Sequence, residues 1–293
     1  MTPMTFRQAL TAATAQLASD EYLCDNAARD AELLLLHHLG INRAQSFANP
    51  DRELTEEEDF VYRQSISRRA HHEPIQYIIG QQEFYGLNFH VTPAVLIPRP
   101  ETEHLVEAVL KLLPADQSLK IADIGTGSGA IAIALAVHLP QAAITALDIS
   151  PDALAIARPN AAEHNVADRI RFLQSNLLST LDAETGTFDA IVSNPPYIPT
   201  SDRDTLHPQV RDHEPAAALF AGPTGLDIYR RLIPEAWSAL KPGGLLAMEI
   251  GYGQQTDLSL LLASWQEVSF LNDLQQIPRV ALALRPALPK RIR

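Results

Sequence analysis

Apolar residues recur at helical spacing through the N-terminal quarter of the chain. Segments with this pattern begin near Thr5, near Asn26 and at Thr55. Thr55 is followed three positions later by Glu58, the capping-box pattern in which side chains and backbone amides satisfy each other where a helix begins. The pattern predicts a small α-helical domain over residues 1–76.

Between residues 77 and 100 the helical spacing gives way to a pattern typical of strands. Residues 83–91 alternate apolar and polar side chains and are interrupted at Gly86, which predicts a β-hairpin. Pro98 and Pro100 then stop regular structure, because proline lacks a backbone N–H and restricts the residue before it. We therefore expect residues 77–100 to form a hairpin linker between two domains.

Residues 101–293 alternate short apolar runs with longer segments of helical spacing. The predicted strands are 119–124, 143–149, 170–173, 190–193 and 245–250, and the predicted helices are 101–113, 129–138, 151–164 and 226–240. Strands that alternate with helices of this length indicate βαβ units. Two further strands, near Val268 and at 280–284, predict an edge hairpin. The predicted fold class is α/β, with a doubly wound, mostly parallel sheet that has an antiparallel edge, preceded by the helical domain and the hairpin linker.

Composition narrows the classes of protein that fit this pattern. The 293 residues are 46% hydrophobic and 20% charged, which is ordinary for a globular protein and excludes disorder. Cys24 is the only cysteine, so an intrachain disulfide and cysteine-ligated zinc are excluded, and we expect no metal site. The longest apolar run, residues 130–139, is too short to cross a bilayer and the N-terminus lacks a signal-peptide pattern, so we expect a cytoplasmic protein. The net charge of −12 disfavours stable binding to nucleic acid.

A glycine-rich loop lies at the predicted turn from the first long strand into its helix. The candidate cofactor-binding residues there are Gly125, Thr126, Gly127, Ser128 and Gly129. Glycines allow positive φ and close approach of a ligand, and the helix N-terminus offers free N–H groups. Asp148 ends the next strand, where its carboxylate can accept hydrogen bonds from ribose hydroxyls. The spacing also fits the dinucleotide fingerprint, so the loop by itself leaves S-adenosylmethionine and NAD open.

A second motif follows the predicted strand 190–193. Its residues are Asn194, Pro195, Pro196 and Tyr197, all candidates for catalysis, and Asn194 is also a candidate cofactor-binding residue. Proline after Asn194 holds that residue extended, and two prolines donate no hydrogen bonds, which leaves nearby carbonyls as free acceptors. A cluster of acceptors beside an aromatic ring suits the binding of a planar –NH2 group, because Asn194 Oδ1 and the Pro195 carbonyl can accept its two hydrogens.

The two motifs together favour transfer of a methyl group to a planar nitrogen. An N6-adenine methyltransferase needs the same geometry, although the acidic charge argues against it. A nucleotide-binding protein without turnover would not require the turn that begins at Asn194. An NAD-dependent dehydrogenase fits least, because the sequence has no suitable Tyr-x-x-x-Lys or His–acid pair.

The chain resembles the protein-(glutamine-N5) methyltransferases of peptide chain release factors, within the class I methyltransferases that depend on S-adenosylmethionine. Besides the two motifs, the resemblance rests on four segments between residues 73 and 253. They are Glu73-Pro74-Ile75-Gln76-Tyr77, Glu83-Phe84-Tyr85-Gly86, the segment from Leu96 to Glu103, and His213-Glu214-Pro215 with Gly225-Leu226-Asp227.

The resemblance implies S-adenosyl-L-methionine as cofactor and bacterial class 1 release factors as partners. The methylated residue would be the glutamine of their Gly-Gly-Gln motif. Because the N-terminal helices carry no catalytic motif, we expect by elimination that they recognise the release factor away from its glutamine. The loop 125–129 would hold the methionine end of the cofactor, Asp148 the ribose, and Asn194 with Pro195 the glutamine amide. Asn176 and Leu177 would border the adenine, at a point where the family often has an acid followed by a large residue. A glutamine methyltransferase of a ribosomal protein remains an alternative.

Overall fold

The computed structural model describes residues 4–181 and 185–287. The helices are α1 Phe6–Ala18, α2 Ala27–Leu39, α3 Arg43–Ala48, α4 Glu56–Ala70, α5 Ile75–Ile79, α6 Pro100–Leu112, α7 Ala130–His138, α8 Pro151–Glu163, α9 Pro208–His213, α10 Asp227–Ala239 and α11 Gln255–Leu261. The strands are β1 Gln81–Phe84, β2 Leu87–His90, β3 Lys120–Ile124, β4 Ala143–Asp148, β5 Ile170–Gln174, β6 Phe188–Ser193, β7 Leu240–Glu249, β8 Gln266–Asn272 and β9 Pro278–Leu284.

The chain divides into two compact units. The first comprises the residues up to 81 together with residues 205–213, and the second comprises residues 82–204 with the residues from 214 onward. The hairpin is grouped with the second unit, whereas the sequence prediction treats 77–100 as a separate linker between 1–76 and 101–293. That division into domains stays a prediction.

The first unit is helical, as the apolar spacing predicts. Thr55 and Glu58 form the predicted capping box at the start of α4, and Thr5 with Gln8 forms a second one at α1. Asn26 precedes α2, but its side chain makes no capping hydrogen bond. The short helices α3 and α5 were not predicted, because neither is long enough to show a period.

The core of the first unit encloses an ion pair. Arg69 Nε donates to Asp30 Oδ2 at 2.7 Å, with both side chains almost fully buried. The guanidinium also donates to the Glu73 carbonyl at 3.1 Å. The apolar part of this core consists of buried side chains of α1, α2 and α4, among them Leu17, Leu34 and Ile66.

The second unit is built on a seven-stranded sheet with the order β5-β4-β3-β6-β7-β9-β8. The five strands from β5 to β7 are parallel, and β9 runs antiparallel to both β7 and β8. Buried residues of α6, α7 and α8 pack on one face, and those of α10 and α11 pack on the other. This confirms the predicted doubly wound, mostly parallel sheet with an antiparallel edge. The sequence did not indicate that β9 lies between β7 and β8.

The hairpin of β1 and β2 is confirmed as a two-stranded sheet. Its turn contains Tyr85 and Gly86, both with positive φ. The backbone N–H of Tyr85 donates to Glu103 Oε1 at 2.9 Å, which ties the hairpin to the first turn of α6. His90 N donates to Asn160 Oδ1 at 2.9 Å, which ties it to α8.

Removal of the buried carboxylate in the first unit tests how much that ion pair matters. Asp30→Ala leaves the Arg69 guanidinium buried without a countercharge, so we expect the free energy of unfolding to fall by about 3–5 kcal/mol. The control is Asp59→Ala, which removes the exposed i,i+4 pair with Arg63 and should cost less than about 0.5 kcal/mol. Urea unfolding measures both. Equal losses in the two variants would contradict the expectation.

Candidate functional site

Four parallel strands bring their carboxyl ends to one edge of the sheet. In register, Ile124 at the end of β3 lies beside Leu147 of β4 and Ser193 of β6, and Ser193 lies beside Met248 of β7. The segments that follow these strands therefore begin next to one another. In open α/β sheets, ligands bind at this edge, at the point where the strand order reverses.

The glycine loop lies at this edge between β3 and α7. Gly125, Gly127 and Gly129 all have positive φ, between 55° and 84°, so each uses a conformation that L side chains rarely adopt. The backbone N–H groups of Gly125 and Thr126 donate to the Leu147 carbonyl at 2.8 and 2.9 Å. The loop is thereby fixed to the end of β4.

The glycines of the loop differ in the space around them: it is open at Gly127 and filled at Gly129. A Cβ on Gly127 would meet no atom within 4 Å, whereas one on Gly129 would lie 2.9 Å from Ile133 Cδ1. A Cβ on Gly125 would lie 4.0 Å from the Asn194 carbonyl oxygen, so the loop and the turn after β6 are neighbours. The same Cβ on Gly129 would lie 3.2 Å from Ala157 Cβ on α8, so glycine there permits close packing of the loop on α8, while Gly127 leaves room for a ligand.

Asp148 ends β4 directly beside the loop. Its Oδ2 accepts a hydrogen bond from Gly127 N at 2.8 Å and its Oδ1 accepts one from Ser150 N at 2.9 Å. Burial raises the pKa of this carboxyl, and the backbone amides of Ser150, Gly127 and Ile149 act against that rise. Each oxygen keeps a further lone pair, so the carboxylate can still accept hydroxyl hydrogens from a ligand.

A second carboxyl, Asp123, lies beneath the loop and is completely buried. Thr126 Oγ1 donates to its Oδ2 at 2.6 Å, while its Oδ1 meets no donor at hydrogen-bonding distance among the described residues. Burial raises the pKa of Asp123 to about 7, against the lowering effect of the Thr126 hydroxyl. The sequence shows this residue directly before the loop, but nothing in the pattern indicates its perturbed titration.

The turn Asn194–Tyr197 leaves β6 at the same edge and is held at both ends. Before it, Ser193 Oγ donates to the Ile124 carbonyl at 2.7 Å. After it, the Tyr197 carbonyl accepts from Gln254 Nε2 at 3.0 Å, and the Tyr197 hydroxyl donates to Glu249 Oε1 at 3.1 Å. Burial raises the pKa of the Tyr197 phenol, as does the nearby Glu249 carboxylate. The phenol therefore remains a hydrogen-bond donor and does not serve as a base.

Close packing also fixes the far side of this turn. A Cβ on Gly225 would lie 2.2 Å from the Tyr197 carbonyl oxygen, and one on Gly251 would lie 3.0 Å from Tyr197 Cδ2. Only glycine can approach the backbone so closely without displacing the turn. Gly225, the first residue of the segment Gly225-Leu226-Asp227, thus packs against the turn.

Two acceptors on the turn have no partner among the described residues. Asn194 donates through Nδ2 to Thr102 Oγ1 at 3.0 Å, but its Oδ1 accepts no hydrogen bond. The Pro195 carbonyl likewise accepts none from the described backbone or side chains. That this pair receives both hydrogens of a planar –NH2 group stays a prediction, as do the catalytic roles of Asn194, Pro195, Pro196 and Tyr197.

Two residues that contact the turn were missed from the sequence. Thr102, in the first turn of α6, accepts from Asn194, and Glu249, at the end of β7, accepts from both Thr102 and Tyr197. A signal for Glu249 exists, because a carboxyl directly follows the apolar run 245–248 on a central strand. For Thr102 no local pattern reveals the contact.

The charged segment before α6 has a structural part. Arg99 donates to Glu214 Oε1 at 2.5 Å, and the Glu214 side chain is fully buried. Burial raises the pKa of Glu214, and the guanidinium of Arg99 acts against that rise. Arg99 and Glu103, through their bonds to Glu214 and to Tyr85 N, tie neighbouring segments together.

The residues predicted to border an adenine lie two strands away from the loop, after β5. Ser175 N donates to the Asp148 carbonyl at 2.9 Å, so this segment begins close to Asp148. Asn176 is exposed and its Oδ1 accepts from Arg231 Nη2 at 2.8 Å. Leu177 adopts positive φ and packs partly buried against the core. Their part in binding a cofactor stays a prediction.

Within the described residues, no group of three or more His, Cys, Asp or Glu side chains is placed to hold a metal ion. Across residues 4–181 and 185–287, no helix has the length and apolar character that crossing a membrane requires.

Comparison with known proteins defines the class. Residues 102–209 match the model of the methyltransferase small domain, and residues 8–80 match that of the PrmC N-terminal domain. The hMettl16 catalytic domain, 16% identical, has a TM-score of 0.55 over 80% of this chain and 85% of that one. The T. thermophilus 16S rRNA N2 G1207 methyltransferase, 19% identical, has a TM-score of 0.54 over 70% and 49%. The fold is that of a Rossmann-like methyltransferase.

Whole-chain relatives identify the family. A release factor glutamine methyltransferase of Koribacter versatilis is 46% identical over 97% of this chain and 99% of its own. One of Moorella thermoacetica is 45% identical over 96% and 99%, and one of Caulobacter vibrioides is 41% identical over 90% and 91%. The chain belongs to the release factor glutamine methyltransferase family, which confirms the resemblance found in the sequence.

The buried carboxyl beneath the loop predicts a pH dependence of stability. Asp123 has a folded-state pKa of about 7 against an ordinary value of 3.8, so stability is lost as pH rises from about 4 to about 7. Asp123→Asn does not titrate. Its free energy of unfolding, relative to wild type, should therefore rise over that window by up to about 4 kcal/mol, at about 1.4 kcal/mol per pKa unit. Urea unfolding of cofactor-free protein from pH 4 to 8 measures this, and parallel curves for the two proteins would contradict it.

Proposed function

We propose that this protein transfers a methyl group from S-adenosyl-L-methionine to the side-chain amide nitrogen of a protein glutamine. The substrate is the glutamine of the Gly-Gly-Gln motif in bacterial class 1 release factors. The observation that carries the proposal is the pair of unpartnered acceptors, Asn194 Oδ1 and the Pro195 carbonyl, beside an open glycine loop. The relatives that span nearly the whole chain are named for this activity, which supports the choice of substrate.

The residues around the loop fit the proposed cofactor. Gly127 leaves open space in front of the loop, and the Asp148 carboxylate beside it has lone pairs left for two neighbouring hydroxyls. Residues 125–129 would hold the methionine end and Asp148 the ribose, with Asn176 and Leu177 at the adenine. Bound there, S-adenosyl-L-methionine supplies an electrophilic methyl group on a sulfonium centre.

The turn then serves to position and polarise the attacking nitrogen. An amide nitrogen is a poor nucleophile because its lone pair is delocalised into the carbonyl. Asn194 Oδ1 and the Pro195 carbonyl accept its two hydrogens, which orients the nitrogen and stabilises the positive charge that develops on it. Among the described residues of the turn, the Tyr197 phenol donates to Glu249 and does not act as a base, so the excess proton leaves to water.

Peptide mass analysis tests the activity directly. Purified protein is incubated with S-adenosyl-L-methionine and unmethylated release factor, and the Gly-Gly-Gln peptide should gain one methyl group on the glutamine. The control is a release factor with glutamate in place of that glutamine, which should gain none. Absence of methylation on the wild-type factor, with cofactor bound, would contradict the proposal.

Loss of the Asn194 side chain tests the proposed role of the turn. Asn194→Ala removes one of the two acceptors, so we expect kcat to fall roughly 100- to 1,000-fold, as for a lost transition-state hydrogen bond, while cofactor affinity is retained. Methyl transfer and calorimetric cofactor binding measure the two effects. As a control, Asn272→Ala alters an exposed asparagine at the end of edge strand β8 and should leave kcat unchanged. Full activity of Asn194→Ala would contradict the mechanism.

A further inference from the structure

A chain of hydrogen bonds leads from the turn into the protein interior. Asn194 Nδ2 donates to Thr102 Oγ1 at 3.0 Å, and Thr102 Oγ1 donates to Glu249 Oε2 at 2.5 Å. Thr102 is 4% exposed and Glu249 is 2% exposed, so water does not compete for these bonds. The three residues come from the end of β6, the first turn of α6 and the end of β7.

The chemistry of the three groups allows these hydrogen bonds to run in only one direction, from Asn194 through Thr102 to Glu249. An ionised carboxylate only accepts hydrogen bonds, so the Thr102 hydroxyl directs its single hydrogen to Glu249. The hydroxyl oxygen can then only accept from Asn194. The Asn194 amide, whose oxygen and nitrogen have nearly the same shape, must therefore direct Nδ2 inward and Oδ1 toward the site.

Glu249 is held in the state that this direction requires. Its Oε1 accepts from the Tyr197 hydroxyl at 3.1 Å, and its backbone carbonyl accepts from the Tyr229 hydroxyl at 2.8 Å. Burial raises the pKa of Glu249 to about 6, with the hydroxyls of Thr102 and Tyr197 acting against the rise. At neutral pH the carboxyl is mainly ionised and accepts from both hydroxyls.

We propose that Thr102, supported by Glu249, is a positioning residue that sets the polarity of the Asn194 amide. The inference rests on the proposed function, because the acceptor that it orients is the one offered to the substrate nitrogen. With Oδ1 facing the site beside the Pro195 carbonyl, the turn accepts an –NH2 group. It repels a carboxylate or carbonyl oxygen in the same place. The hydrogen bond from Asn194 to Thr102 thereby favours glutamine over glutamate as the substrate residue.

Three variants separate this role from a merely structural one. Thr102→Val keeps the shape of the side chain but offers no acceptor to Asn194, whereas Thr102→Ser keeps the hydroxyl. Thr145→Val makes the same change at another buried threonine, which lies on strand β4. Each is assayed with S-adenosyl-L-methionine and release factor for kcat, cofactor affinity and unfolding midpoint.

The positioning role predicts a specific outcome for each variant. In Thr102→Val, kcat falls at least tenfold while the dissociation constant for S-adenosyl-L-methionine stays within twofold of wild type. Thr102→Ser keeps kcat within threefold of wild type, and Thr145→Val leaves it unchanged. In an Asn194→Ala background, Thr102→Val lowers the residual rate by less than twofold, because the group that it positions is already absent.

Several results would overturn the inference. If wild type and Thr102→Val are equally active, the positioning role of Thr102 is overturned while the proposed function stands. Equal losses of kcat in Thr102→Val and Thr102→Ser would have the same meaning. Wild-type protein that transfers no methyl to release factor would overturn the proposed function together with the positioning role. If Thr102→Val does not fold, Glu249→Gln provides the test. A neutral amide offers one acceptor oxygen to two hydroxyls, so the Thr102 hydroxyl is no longer forced to donate to residue 249 and the Asn194 amide is no longer held in one orientation. The kcat of Glu249→Gln should fall at least fivefold, and an unchanged kcat would overturn the inference.

Discussion

Burial of an apolar parallel sheet is the constraint on which the rest of the second unit depends. Its central strands are covered on both faces, and Ile121, Ile191 and Leu246 have no exposed surface. Each large apolar side chain contributes roughly 1.5–3 kcal/mol when buried, so a polar substitution within a strand is costly. The carboxyl groups of the site therefore lie at or next to the strand ends. Because the strands are parallel, those ends gather at one edge of the sheet.

The polar groups at that edge are themselves partly buried, and each is stabilised by particular partners. The pKa values of Asp123 and Glu249 rise to about 7 and about 6 because burial disfavours their charged forms. Hydroxyl donors, Thr126 for the first carboxyl and Thr102 with Tyr197 for the second, offset part of that cost. Burial of these two carboxyl groups therefore has a free-energy cost that packing elsewhere in the unit offsets. Perturbed pKa values of this kind are common where side chains are arranged for function.

The features that could be predicted from the sequence are those set by residues close together in the chain. The glycine loop and Asp148 follow buried strands directly, so their proximity follows from the parallel order, and the structure joins them through Gly127 N. The contact between Asn194 and Thr102 joins residues 92 positions apart. It depends on how α6 packs over the sheet, which no local period encodes. The place of β9 between β7 and β8 was missed for the same reason, since pairing partners are set by tertiary packing.

The direction of the hydrogen bonds at the turn restricts what it can hold. Asn194 Oδ1 and the Pro195 carbonyl are both acceptors, so a nitrogen with two hydrogens satisfies both, whereas a hydroxyl satisfies one. An amide and the amino group of adenine meet this condition equally well, so the turn does not distinguish them. Charge does, because binding of nucleic acid depends on neutralising phosphates and this chain carries a net charge of −12. The turn and the charge together favour the amide of a protein side chain.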